Sequence, residues 1–199
     1  MPTGVAMRDV REQLFQAAER VLLRDGPSAL TSRAVTTEAG CAKGVLHRHF
    51  ADFDAFLAEL VRDRIARLDQ QSAALRDAAG TGTVAGHLAD ALTTLFESVA
   101  VALVSLVTSR DELRTRLRET TPIGIPLLTE ATAMLASYLT AERDRGRIAA
   151  DADIDALAPT VIGAGHLLFA DREAAPPDAV AVRKMVTTVI ADAVREPSP

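Results

Sequence analysis

Thr31-Ser-Arg-Ala-Val-Thr-Thr-Glu-Ala-Gly-Cys-Ala-Lys-Gly-Val-Leu-His-Arg-His-Phe50 reads as two short helices joined by a tight turn. A threonine caps a helix start well, because its hydroxyl accepts one of the backbone N–H groups that the first turn leaves unpaired. Thr31 therefore opens a helix from Ser32 to Ala39, and Gly40 stops it. Only Gly40 and Cys41 precede the next helix, Ala42 to Phe50, whose Leu46 and Phe50 lie one turn apart on an inner face. Lys43, His47 and Arg48 are left pointing outward. Upstream, Leu14, Ala18, Val21 and Leu22 form the stripe of a longer helix, about Arg8 to Arg24, that ends at Asp25-Gly26-Pro27. A long helix followed by two short ones with a glycine in their turn is a helix-turn-helix head on physical grounds alone.

Working outward, the rest of the chain also reads as helix, since apolar residues recur three and four apart and strand-like alternation is absent. Asp52 caps a long helix from Phe53 to about Ala79, ended by Gly80-Thr-Gly82; its far half, with Arg62, Arg64, Arg67 and Arg76, reads as solvated. Thr83 to Thr108 is apolar all round, as one central buried helix of a bundle requires. A short charged helix, Arg110 to Glu119, and a linker, Pro122 to Pro126, come next. Helices from Leu127 to Arg145, Ile154 to Ala170 and Asp178 to Val194 complete the chain, with Pro176-Pro177 before the last. The expectation is an all-α fold of about nine helices: a three-helix head joined to a C-terminal bundle, without internal repeats. Met1 to Val5 and the Glu196-Pro-Ser-Pro199 tail read as frayed.

With 199 residues, 48% of them hydrophobic and 25% charged, the chain can bury a core but is too short for a large multidomain enzyme. A single cysteine, Cys41, excludes an internal disulfide, and the start has neither a basic region nor an apolar stretch behind it, which points to a reducing, cytoplasmic setting. The most apolar run, Val99 to Val107, is interrupted by Ser105 and falls short of the ~20 residues that cross a bilayer, so no membrane association is expected. The net charge of −5 hides an asymmetry: residues 1–50 carry +2, together with His47 and His49, and the remainder carries −7. Such a division suits a small head that meets an anion and a larger body that does not.

Leu14-Phe-Gln-Ala-Ala18, Gly26, Leu30-Thr31 and Thr37-Glu-Ala-Gly-Cys-Ala-Lys-Gly-Val-Leu-His-Arg-His-Phe50 resemble the N-terminal signature of TetR family transcriptional repressors. The resemblance is specific across residues 8–57, whereas residues 60–199 match only in length and helical order. It implies a helix-turn-helix DNA-binding domain over residues 7–53 and a ligand-binding and dimerisation domain over 54–195. It further implies a homodimer that binds a palindromic operator in double-stranded DNA and releases it when a small molecule occupies the body. Carried onto this sequence, Thr31, Ser32 and Arg33 face a phosphate strand. Lys43, Gly44, Val45, His47, Arg48 and His49 form the recognition surface, where Arg or Lys reaches guanine edges and Gly44 lets the backbone come close. Three residues depart from the family pattern. Ala42 stands where Ser or Thr usually caps the recognition helix, His47 replaces a phosphate-touching tyrosine, and Phe53 stands where a phosphate-binding lysine is common. The last two predict fewer charge contacts and a flatter salt dependence.

The body offers Phe96, Leu103, Met134, Tyr138 and His166 as candidate contacts for a small, mostly apolar effector. Thr94, Ser98, Ser105, Tyr138 and His166 are isolated polar groups on apolar helices, as in a cavity that orients a ligand with few hydrogen bonds, or as satisfied core groups. Stripes at Leu157, Val161, Ala164 and Leu168, and at Val182, Val186, Val189 and Ala193, suggest a four-helix dimer interface, with Gly163 and Gly165 allowing close approach. No metal spacing, cofactor motif or nucleophile elbow occurs, so neither His166 with Asp171 and Glu173 nor His87 with Asp90 reads as catalytic. Cys41 reads as a small apolar plug in the turn, with a redox role as the alternative. The alternative to an effector-released repressor is a helix-turn-helix module regulated by a protein partner, or one without an inducer.

Overall fold

The structure, a computed structural model, describes residues 4–170 and 175–195, with side chains from residue 10 onward. Asp171, Glu173 and the Glu196–Pro199 tail lie outside these residues; Gly4 and Val5 already belong to the first helix. Ten α-helices and no strand occur among the described residues: α1 Gly4–Asp25, α2 Ser32–Glu38, α3 Gly44–His49, α4 Phe53–Asp77, α5 Val84–Phe96, α6 Ala100–Ser109, α7 Asp111–Leu117, α8 Leu128–Asp144, α9 Ile154–Phe169 and α10 Ala179–Ile190. A 3-10 turn, Pro27–Ala29, separates α1 from α2. The all-α expectation holds.

The count of nine became ten because the expected central helix is two. Ser98 donates its hydroxyl to the Leu95 carbonyl and accepts the Ala100 N–H at 3.2 Å, so it replaces helical backbone bonds and ends α5. The final helix is also shorter than its apolar pattern. It stops at Ile190, and Val194 pairs instead with Ile148 in an isolated antiparallel bridge, flanked by Ala149 N–H to Ala193 O at 2.8 Å. No single helix among the described residues is long and apolar enough to cross a membrane.

The chain divides into two compact units, Met1–Asp63 with Ala102–Pro126, and Arg64–Val101 with Leu127–Pro199. Residues 102–126 thus pack with the head. In the first unit, Leu14, Ala17, Ala18, Val21 and Leu22 of α1 are buried together with Leu30, Val35, Leu46 and Phe56. The Phe56 ring lies 5.6 Å from that of Phe15 and 5.0 Å from that of Phe50, edge to face with the latter. Asp52 caps α4 by accepting the Ala55 N–H at 2.7 Å. That backbone bond, more than the neighbouring Arg116, holds the Asp52 carboxyl below its ordinary value. Arg62 is not solvated: its side chain is half-buried and donates to the Arg116 carbonyl at 3.0 Å.

The second unit packs α8 on α9 and α10 on both α5 and α9. Gly165 of α9 faces α5 so closely that an added Cβ would sit 3.0 Å from Leu92 Cδ2 and Phe96 Cε2. Gly163, two residues earlier, faces open space. The same geometry corrects the expected dimer stripes: Val161, Val182 and Val186 are buried within the chain, and the outward faces carry Leu167, 77% exposed, and Val180, 74% exposed. Helical spacing marks a face as apolar without saying whether its own chain or a second copy covers it.

Gly165→Ala is expected to destabilise the fold by about 1–3 kcal/mol through overpacking. Gly163→Ala should leave stability unchanged or raise it by up to about 1 kcal/mol, because only helix propensity changes there. Urea denaturation of the two variants checks the contrast.

Candidate nucleic-acid interface

The recognition surface rests on how α2 ends. With Ala39 as the C-cap of α2, the Cys41 N–H reaches the Thr36 carbonyl at 3.0 Å and the Gly40 N–H reaches that of Thr37 at 3.1 Å. This pair of bonds needs a left-handed residue at position 40, and Gly40 has φ +65°. A Cβ there would meet nothing within 4 Å, so backbone conformation, not space, requires the glycine. Gln13 of α1 donates to the Ala39 carbonyl at 2.8 Å, and Arg20 and Arg24 both bind Glu38, at 2.7 and 2.9 Å. The bonds from those two guanidinium groups hold the Glu38 carboxyl below its usual range. The turn is thereby tied to α1 on both sides.

Thr31 caps α2 as expected, accepting the Ala34 N–H at 3.1 Å. The start of α3 lacks a side-chain cap, in keeping with Ala42, and its boundary residue is Lys43. Lys43, Gly44, His47 and Arg48 are exposed, and Val45 and His49 are half-buried. Lys43 and His47 are four residues apart on one side of α3, as are Gly44 and Arg48, so the helix turns a single polar face outward. Arg33 is exposed on α2. Ser32 is the exception in the expected set: its hydroxyl is buried without a hydrogen-bond partner, which leaves it unavailable to an outside anion. Arg33, Lys43, His47 and Arg48 have no ion-pair partner among the described residues. Free cations on a helix-turn-helix in an acidic chain are a surface shaped for phosphate and base edges. A methyl at Gly44 would meet nothing within 4 Å, so that backbone is open to close approach from outside.

Residues 14–60 match the profile described as bacterial regulatory proteins, tetR family. The chain carries the head of that family. Solved structures extend the likeness to the whole fold. A tetR-family transcriptional regulator from Agrobacterium tumefaciens aligns over 94% of this chain and 99% of its own at TM-score 0.69 and 14% identity. The Bacillus subtilis regulator FadR, solved with stearoyl-CoA, covers 90% and 95% at TM-score 0.63 and 18% identity. A Saccharomonospora viridis protein solved with choline covers 95% and 100% at TM-score 0.67 and 14% identity. No curated protein sequence matches.

Sequence reasoning missed what replaces the tetR-type lysine at position 53. The Phe53 ring stacks on Phe56 at 5.7 Å and lies under the Arg110 guanidinium, also at 5.7 Å. Arg110 binds Asp54 at 2.8 Å and Arg116 binds Asp52 at 2.7 Å, so α7 and the residue before it tie down the start of α4. Arg110 and Arg116, in the arginine-rich stretch that runs to Arg118, were the available signal, but the partners of these two lie more than fifty residues upstream.

The candidate effector contacts do not gather into one site. Met134 lines an open cleft of about 230 Å³ with Leu75 and Gln71 of α4 and with His87, Asp90 and Thr94 of α5. Tyr138 is fully buried and bonds His87 Nδ1 at 2.9 Å. Phe96 and His166 instead meet edge to face at 5.8 Å, with Phe169 equally close to Phe96, and burial holds the His166 imidazole below its ordinary value. Leu103 is buried in the other unit. Of the isolated polar groups, Ser98 ends α5 and Ser105 is exposed; neither lines this cleft. Among the described residues no three His, Cys, Asp or Glu side chains gather as a metal site needs.

Gly40→Ala is expected to cost about 1–2 kcal/mol, the penalty of a left-handed non-glycine residue. Gly44→Ala should leave thermal stability unchanged while weakening DNA binding. Thermal melts and operator titrations of both variants separate the two glycines.

Proposed function

We propose that this chain is a homodimeric transcriptional regulator, a repressor that binds a palindromic operator and is released by a small, mostly apolar effector. The observation that carries the reading is the set of unpaired cations, Arg33, Lys43 and Arg48, on the exposed face of a tetR-type helix-turn-helix. Residues 7–53 act on DNA in the cytoplasm. Residues 54–195 hold the effector and the dimer contact, and no catalytic role is assigned.

Helix N-termini and Thr31 supply neutral donors to phosphate, Lys43 adds a point charge, and Arg48 and His47 reach base edges. A two-fold dimer places two recognition helices roughly 34 Å apart, in successive major grooves on one face of the duplex. The outward faces of α9 and α10, with Leu167 and Val180, are the apolar surface that such a dimer would cover. Solved relatives of this fold hold stearoyl-CoA and choline, which supports a ligand in the body here. Coupling has a physical route in α4. This helix starts three residues after Phe50, the C-cap of α3, and its later residues Gln71, Ala74 and Leu75 line the cleft. A ligand that binds better to one arrangement of α4 shifts the population of heads able to span both half-sites.

Lys43→Ala is expected to weaken binding to all DNA sequences and to reduce the salt slope by about one. Arg48→Ala should cost on the order of 1–3 kcal/mol on the operator and relax base preference at one position per half-site. Salt-dependent anisotropy titrations on operator and random DNA measure both, and equal losses for Arg48→Ala on the two DNAs would limit it to phosphate.

Light scattering at micromolar concentration should give a dimer for the native chain and a monomer for Leu167→Glu. A native monomer would overturn the dimer.

A further inference from the structure

Helix α5 carries a single carboxylate, and it stands in the cleft. The thirteen residues of this helix hold no lysine or arginine and one acid, Asp90. Leu88, Leu92 and Leu95 are buried, and Gly165 of α9 presses on Leu92, so the rest of its own chain covers that face. His87, Asp90, Ala91 and Thr94, three and four residues apart, form an adjoining face that lines the cleft of about 230 Å³. His87 Nδ1 lies 2.9 Å from the oxygen of the fully buried Tyr138. Whichever of the two donates, the bond fixes this end of the cleft.

The remaining walls are mostly hydrocarbon, with Ala74 and Leu75 of α4 and Met134 of α8. Among the described residues no lysine or arginine lines the cleft, and Asp90 is its one carboxylate. Asp90 is exposed and has no ion-pair partner among the described residues. An unpaired carboxylate on a solvated helix face is screened by water, but beside low-dielectric walls its field is focused into the cleft. Such a site attracts a cation, repels an anion and offers apolar surface to a hydrocarbon body. Its volume lies below the roughly 300–1,000 Å³ of ordinary ligand sites, so the occupant is compact.

We propose that the cleft takes a compact organic cation, an aliphatic ammonium whose charge faces Asp90 and whose hydrocarbon part packs on Leu75, Ala91 and Met134. The inference rests on the reading of residues 54–195 as the effector-binding part.

Calorimetry on the full chain at about pH 8 tests it with three molecules of one shape: cyclohexylmethylammonium, cyclohexylmethanol and cyclohexanecarboxylate. They should bind in that order, the ammonium about threefold or more tighter than the alcohol and about tenfold or more tighter than the carboxylate. Added salt should narrow both gaps. Because the whole chain carries a net charge of −5, general attraction for cations has to be separated from the cleft. Asp90→Asn should bring the ammonium down to the alcohol's affinity and leave the alcohol unchanged. Asp69→Asn removes the same charge from an exposed position of α4 outside the cleft lining, and should leave the ranking intact. Ala74→Phe, which fills the cleft from an exposed position, should abolish binding of all three. Thermal melts check that each variant is folded. Equal binding of the three, binding of none, or a ranking led by the alcohol or the carboxylate overturns the proposal. An ammonium preference that survives Asp90→Asn or Ala74→Phe overturns it as well. Operator affinity tests the underlying reading separately. If the ammonium binds through Asp90 yet leaves operator affinity unchanged, the effector role fails and the cation site stands. If the carboxylate or the alcohol alone binds and releases DNA, the effector role stands and this inference fails.

Discussion

One left-handed residue, Gly40, sets the geometry of the helix-turn-helix. An α-helix that ends without such a residue leaves carbonyls unpaired and its chain free to leave in several directions. Here the Cys41 and Gly40 N–H groups return to Thr36 and Thr37, so the chain leaves α2 in one direction and α3 begins at Gly44. Gln13 then binds the Ala39 carbonyl from α1, which converts a local turn into a tertiary contact. Leu46 and Phe50 are buried because the turn aims them at α1, and Lys43, His47 and Arg48 are exposed for the same reason. The uncapped start of α3 is tolerable in this setting, since packing rather than capping holds that helix.

A comparable role in the second unit belongs to Glu142. A fully buried carboxylate is costly unless paired and hydrogen-bonded, and this one recruits Arg147 and the Gly80 N–H. The result fastens the turn after α4 to the end of α8. The two units thus solve different problems: the head positions unpaired cations on its surface, and the body buries a charge and pairs it within the chain.

Much of the architecture was legible in the residues. The Thr31 and Asp52 caps, the glycine stops at Gly40 and Gly146 and the burial of Leu46 and Phe50 follow from local rules, since a cap or a left-handed stop involves atoms only a few residues apart. The break at Ser98 was not legible, because serine in an apolar run is compatible with a continuous helix until its hydroxyl displaces a backbone bond. The ring of Arg110 and Arg116 around the start of α4 escaped notice for a different reason. Ion pairs between positions more than fifty residues apart leave no periodic trace in sequence.

By itself the sequence determined the helix-turn-helix, its outward Lys43 and Arg48, the all-helical body and the contrast of charge between head and body, all of which depend on periodicity and composition. Only the tertiary structure decided how apolar faces are shared out. Val161, Val182 and Val186 went to the core and Leu167 and Val180 to the surface. It also separated Gly165, pressed against Leu92, from Gly163, open to solvent, and joined His87 to Tyr138 across fifty-one positions. A helical stripe states that a face is apolar and a histidine states that a proton can sit on either nitrogen. Which neighbour covers the face, and which nitrogen holds the proton, depends on groups that folding alone brings within reach.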